Sequence, residues 1–228
     1  MRKIALFLLA GSLAGATLWA QTTVRRSIRA AGEASVTTTP NQARIAVGVI
    51  TQAATADEAS TRNANQVSGV LAQLRALLGA AADIKTISYS LTPNYTSPRD
   101  GTPSVISSYT AANTVQITTG DLSAIGRVID TAIQAGANRV TSLQFGLRDE
   151  EPLRAQALRS AAGRAKAHAD AIAAGLGVRT GAILSAEEGT AIRTTLDTRV
   201  SAAGPTTPVE PGLVSVHATV SIEVEIAP

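Results

Sequence analysis

Few side chains in this sequence could do chemistry, and they are scattered. There are two histidines and no cysteine. His168 and His217 lie about fifty residues apart, and neither sits in an HxH or HExxH pattern, so the spacing that gathers metal ligands on one element is missing. Each reads as an ordinary surface or half-buried histidine. The lack of cysteine rules out disulfides, thiol nucleophiles and thiolate metal sites. Asp149, Glu150 and Glu151 could serve as an acid–base pair, but Pro152 follows them, and carboxylates are favoured in a helix's first turn. Capping is the plainer reading. Glu187 and Glu188 read as solvated charge at the end of a strand. No Gly-x-Ser-x-Gly marks a nucleophile, and Gly175-Leu176-Gly177 falls at a helix end, where it reads as a C-terminal cap and not a phosphate loop. The expectation is no catalytic residue, no metal ligand and no cofactor, hence not an enzyme.

Binding candidates are also limited. Arg154, Arg159, Arg164 and Lys166 on one predicted helix could meet anionic lipid or polysaccharide, although a solvent face explains them as simply. Tyr89, Tyr95 and Tyr109 flank a linker dense in turn residues, Thr96 to Pro103. They either line a groove there or pack over a sheet edge. No Lys/Arg block appears and the six aromatic residues are dispersed, which argues against nucleic acid as a partner.

The N-terminus carries the strongest single signal. Arg2 and Lys3, the apolar run Ile4 to Leu13, and the small residues before Gln21 match a secretory signal peptide, residues 1–20. Cleavage is expected after Ala20, with Ala16 second. The apolar core is shorter than the ~20 residues of a spanning helix, and no cysteine is present for a lipid anchor. Removal would leave 208 residues and lower the net charge from +3 to +1 with the loss of Arg2 and Lys3. Residues 21–27 read as a disordered leader and 28–228 as the folded part.

Hydrophobic periodicity predicts strands over 28–38 and 42–53, joined at Thr39-Pro40-Asn41. Thr55 and Glu58 form a capping box for a helix whose apolar face is Val67, Val70, Leu71, Leu74, Leu77 and Leu78, ending near Gly79. Strands follow over 83–95 and 105–119. Asp121 caps a second helix with Ile125, Val128, Ile129, Ala132 and Ile133 on its apolar face, stopped by Gly136. A strand over 139–148 leads to a third helix, capped by Asp149 and running through Leu176. Residues 180–187 read as a short strand, 189–212 as a long, flexible loop, and Val214 to Ile226 as a strand of clean alternation. The predicted class is α+β: a two-layer sandwich with a mostly antiparallel sheet and helices on one face, in the order ββαββαβαββ. Its 42–148 centre has the order of a ferredoxin-like split βαβ unit. The first strand, third helix and last strands would extend or cap that sheet. The third helix is rich in alanine, and small side chains let a helix approach its neighbour closely; its face is only weakly apolar, so the alternative is a subunit contact.

Five blocks in order resemble the SIMPL-domain proteins. They are Gly32-x-x-x-Val36 with Pro40-Asn41-x-Ala43 and Gly48-Val49; Asp83-Ile84-x-Thr86-x-x-Tyr89-Ser90-Leu91-x-Pro93-x-Tyr95; Tyr109-x-Ala111-x-Asn113-x-Val115; Gly136-Ala137-Asn138 with Phe145; and the alanine-repeat helix ending at Leu176-Gly177. Asn41 stands where the family usually has Asp, and Ser108 where Gly is common. The resemblance implies export to the periplasm, with outer-membrane association as a variant of that address. It also implies self-assembly as a homo-oligomer, contacts with envelope components, a link to stress tolerance, and no established enzymatic activity. Tyr89, Tyr95, Tyr109 and Asn113 are the candidate ligand or interface residues. The alternative expectation is a binding module for a small molecule, glycan or peptide using 94–109.

Overall fold

The computed structural model describes residues 26–79, 82–96, 103–189, 195–197 and 207–227. In chain order they form β1 (Ser27–Thr38), β2 (Gln42–Ala53), α1 (Ala56–Leu78), β3 (Asp83–Thr96), β4 (Val105–Thr119), a 3-10 turn (Leu122–Ala124), α2 (Ile125–Gln134), β5 (Arg139–Gly146), α3 (Glu151–Gly175), β6 (Arg179–Glu188), β7 (Thr195–Asp197) and β8 (Leu213–Ala227). The class is α+β, with two antiparallel sheets and three helices.

Local chemistry sets most boundaries. Thr55 caps α1 by accepting the Glu58 N–H at 3.2 Å, while the Glu58 carboxylate turns to Arg62 one turn on. The Asp121 carboxylate accepts from the N–H groups of Ser123 and Ala124 and starts the turn into α2. The ends of α2 and α3 are built alike. Ala137 N–H reaches the Ala132 carbonyl across Gly136, and Val178 N–H reaches Ala173 across Gly177, at 2.9 and 3.0 Å. Both glycines have positive φ, 114° and 71°. These are Schellman-type stops that satisfy last-turn carbonyls.

The terminal sheet has the order β1-β8-β6, with β7 paired to the start of β8. Val214, Val216, Ala218, Val220, Ile222 and Val224 are all buried on one face of β8. β1 runs antiparallel to it in unbroken register from Ser27↔Glu225 to Thr38↔Val214. α3 covers this apolar face with Ala157, Ala161, Ala165, Ala169 and Ala173, every fourth residue and all buried. Alanine lets the helix come very close to β1. A Cβ on Gly32 would sit 2.2 Å from the Ala161 carbonyl oxygen and 2.3 Å from the Ala165 nitrogen. Polar groups pin the rims of this contact: His168 Nδ1–H donates to the Ala31 carbonyl at 2.7 Å, Arg164 to the Glu33 carbonyl at 2.8 Å, and Thr180 to Asp170 at 2.6 Å. The alanine face thus makes the close approach to a neighbouring element that small side chains allow, and the chain's own sheet covers it where the alternative was a subunit contact.

The central sheet has the order β3-β4-β2-β5, antiparallel throughout. α1 and α2 cover one face. Ala43, Ile45, Val47 and Val49 of β2 and Val115 and Ile117 of β4 meet Val67, Val70 and Leu74 of α1 and Ile125, Val128 and Ile129 of α2. Two expected core positions lie outside: Leu77 and Ile133 are exposed. The buried stripe of α1 instead extends back through Asn63 to Ala59, because a 23-residue helix meets the sheet along its first turns as well as its last.

Three expectations need correction. The outer strands and third helix do not extend one sheet; β8 takes β1 and β6 as neighbours, and the resulting sheet has a core of its own. The stretch read as a loop, 189–212, contains β7. Ser27, placed in the leader, already belongs to β1. The signal peptide and residues 21–25 lie outside the described residues, as do 97–102 of the linker and 190–194 and 198–206 of the loop.

Gly32→Ala is expected to destabilise the chain by about 1–3 kcal/mol, since the new methyl meets helix backbone that cannot rotate away. Gly163 lies on the same helix, and a methyl added there would meet nothing within 4 Å. Gly163→Ala should therefore stabilise by about 0.5–1 kcal/mol through helix propensity. Thermal melts of the two variants give opposite signs if the close contact is as described.

Candidate functional site

Most side chains with chemical capacity are engaged in holding the fold. His168 is bonded to β1, as above. His217 lies half-buried on the helix-free face of β8, opposite Ser35. Among the described residues, no group of three or more His, Cys, Asp or Glu is placed to hold a metal ion. Asp149 does not cap α3 directly; its carboxylate accepts the Glu151 N–H at 3.0 Å just before the first turn, while Glu150 occupies the cap position without a side-chain bond. Glu188 pairs with Arg154 at 2.6 Å, and Lys166 pairs with Asp170 at 2.9 Å. With Arg164 on the Glu33 carbonyl, three of the four basic residues proposed for lipid contact have partners within the chain.

Glu187 borders an open hollow of about 420 Å³ on the helix-free face of the terminal sheet, with Arg29, Ser185, Ser221 and Glu223. The Ser27 hydroxyl, 2.5 Å away, and then Arg29 hold the Glu223 carboxyl below the usual range. Asp170 is lowered by Thr180 and then Lys166, and Asp121 first by Ser123. These carboxylates complete the hydrogen bonding of strand and helix ends, and their low pKa values follow from that work.

Two asparagines in the motif blocks replace backbone. Asn138 accepts the Ile50 N–H at 2.9 Å and donates to the Ile50 carbonyl at 2.7 Å, extending the β5–β2 ladder just ahead of the first residue of β5. Asn41 accepts the Arg148 N–H at 2.7 Å and ties the β1–β2 turn to the far end of β5.

The register brings the four candidate residues onto one hairpin. Tyr89 pairs across from Asn113, Pro93 from Tyr109, and Tyr95 from Ile106. Opposed residues share a face, and for Asn113 and Tyr109 this is the helix-covered face, with Ala111 between them. The four do not behave alike. Tyr109 is partly buried against Ala53, Ala59 and Ala111. Tyr89 and Tyr95 are 53% and 62% exposed, because α1 lies over β2 and β4 and leaves this stretch of β3 uncovered among the described residues, although Ile84 nearer its start packs on the core. The Asn113 carbonyl oxygen is buried without a protein partner. Asn63, which no sequence motif singles out, is fully buried nearby and donates to the carbonyls of Val49 and Ala111 at 2.8 and 3.2 Å. Its own carbonyl oxygen also lacks a protein partner. The signal that could have found it is its place in the 59–63–67–70–74 series of α1.

Across 28–224 the chain matches SIMPL, described as a protein of unknown function (DUF541). It belongs to the SIMPL family. It is similar to the 26 kDa periplasmic immunogenic protein of Brucella melitensis, 28% identical over 165 residues that cover 68% of this chain and 65% of the relative. It is also similar to the uncharacterized protein YggE of Edwardsiella ictaluri (29% over 154 residues; 68% and 64%) and of Escherichia coli K12 (27% over 154; 68% and 62%). The chain thus spans a little under two thirds of the length of these curated relatives. In this SIMPL chain, no helix among the described residues is long and apolar enough to cross a membrane.

Asn138→Ala removes two hydrogen bonds to β2 and should cost about 1–3 kcal/mol, measured by denaturant unfolding. The three lowered carboxylates set the acid response. Each binds protons less readily folded than unfolded, so its contribution is present above the ordinary values of 3.8 for Asp and 4.5 for Glu and is lost as pH falls through the lowered folded values. The melting temperature should be insensitive to these groups above about pH 5 and decline below it; Asp170→Asn should blunt the decline.

Proposed function

We propose that this SIMPL chain is an exported, non-catalytic periplasmic protein that self-assembles and supports the envelope under stress. The observation that carries this reading is the set of exposed apolar residues on the β3–β4 hairpin, Tyr89, Leu91, Tyr95, Val105 and Ile106, in a protein whose reactive side chains are mostly engaged in its own packing. Monomeric proteins rarely expose a large contiguous apolar patch without a partner for it. The periplasmic address draws on the Brucella relative's name and on the basic, apolar, then small-residue start of the sequence. The connectivity of β2 through β5 supports reading the central sheet as a ferredoxin-like split βαβ unit, in which a two-layer arrangement leaves one edge hairpin free.

A second reading, a binding module for a small molecule, glycan or peptide at 94–109, draws on the high exposure of Tyr95 in that stretch. It predicts a ligand-dependent rise in melting temperature that is lost in Tyr95→Ala.

The chain from residue 21 should run as a discrete oligomer by size-exclusion chromatography with light scattering over a range of concentrations. A monomer at every concentration would sink the self-assembly reading. Periplasmic release by osmotic shock tests the address separately.

A further inference from the structure

We propose that two copies of the chain associate about a two-fold axis through the helix-side face of the β3–β4 hairpin, side chains against side chains, and not by adding strand to strand. This rests on the self-assembly reading and names its contact.

Alternation along β3 puts Tyr89, Leu91, Pro93 and Tyr95 on one face. Their cross-strand neighbours Asn113, Ala111, Tyr109 and Ile106 share that face. β2 ends at Ala53, opposite Tyr109, so the hairpin beyond that pair has no further strand beside it on the β2 side. α1 begins only at Ala56, and Ala59 covers Ala111 but not Leu91. The result is an apolar stripe continuous with the core at Tyr109 and, among the described residues, otherwise uncovered.

The size of the stripe suits a second copy. An aromatic side chain can bury about 150–250 Å². At the observed exposures the two tyrosines, Leu91, Pro93 and Ile106 present on the order of 500 Å². Stripe against stripe, that is about 1,000 Å², the least that a specific interface buries. Charge points the same way. Ser88 to Thr96 and Val105 to Thr119 contain no charged residue. Two copies therefore meet without repulsion, and a strongly charged partner would find nothing to pair with. A self-complementary patch is what a two-fold contact needs.

The strand edge itself is blunted. Lys85 lies along it, the register with β4 shifts at Ile87, and Pro93 has no N–H to offer. Lysine, bulge and proline are the devices that keep an edge strand from recruiting another strand. What β3 offers a partner is its side-chain face.

The absence of native cysteine makes the test direct. Single cysteines would be placed at Leu91, Pro93 and Tyr95 on the stripe and at Ser90 and Thr92 on the opposite face, each in the full chain from residue 21. Under mild oxidation at least one stripe position should give a covalent dimer and neither control should, since a bridge needs Cα atoms within ~7 Å. Leu91→Asp combined with Tyr95→Asp should weaken association about 100-fold by light scattering, with far-UV circular dichroism and melting temperature close to wild type because both sites are exposed. Cross-linking from Ser90 or Thr92 alone, or an undiminished assembly in the folded aspartate variant, would overturn the stripe contact while leaving self-assembly standing. A monomeric wild type, read on its own sample, would remove both.

Discussion

The approach of α3 to β1 at Gly32 is the constraint on which the terminal half of the molecule depends. With a Cβ position only 2.2 Å from helix backbone, strand and helix are separated by little more than the alanine methyls of α3. Alanines bury less apolar area than leucines would, so each contributes less to transfer free energy. What the short distance gives in return is reach. His168 and Arg164, on the flanks of the helix, span to the β1 carbonyls of Ala31 and Glu33, and Thr180 on β6 reaches Asp170. A helix held off by leucines would leave those bonds too long. The same contact fixes β1 beside β8, so the first and last strands close one sheet while β2 to β5 close another.

This explains which parts of the fold were legible in the sequence. The alternation in β8 and β2, the Thr55 cap and the glycines ending α2 and α3 are local signals, and each element stands where its signal put it. Sheet membership is not local. Alternation says that one face of β8 is covered, without saying whether β5 or β1 is the neighbour. The alanine stripe is legible as a face for close approach, but its partner is not: spacing by fours of small residues is only weakly apolar, although close packing makes it one of the most completely buried surfaces among the described residues. Leu77 and Asn63 show the converse. Ranking α1 by hydrophobicity favours the leucine, but the line of contact with the sheet runs through the asparagine.

The candidate site was partly legible. Three tyrosines around a turn-rich linker do lie on one hairpin and share its helix-side face, but only the reach of α1 separates their roles: Tyr109 opposes Pro93 and closes a small cluster under α1, while Tyr89 and Tyr95 lie outside its cover and are exposed. The work of Asn138 could not be read from its neighbours in sequence. Its partner Ile50 is 88 residues away, and its function is to extend a ladder that one-dimensional spacing does not reveal.

Asn63 and Asn113 bear on why the uncovered hairpin is where it is. Asn63 spends its amide N–H groups on carbonyls of two adjacent strands, β2 and β4, and so fastens α1 to the sheet by polar bonds where Val67, Val70 and Leu74 do so by packing. The carbonyl oxygens of both asparagines are buried with no partner among the described protein groups. Both lie at the β2–β4 end from which the hairpin departs, Asn113 directly across from Tyr89. Buried amide oxygens beside an exposed apolar stripe are what the proposed contact between copies would have to accommodate, since Asn113 lies directly across from Tyr89.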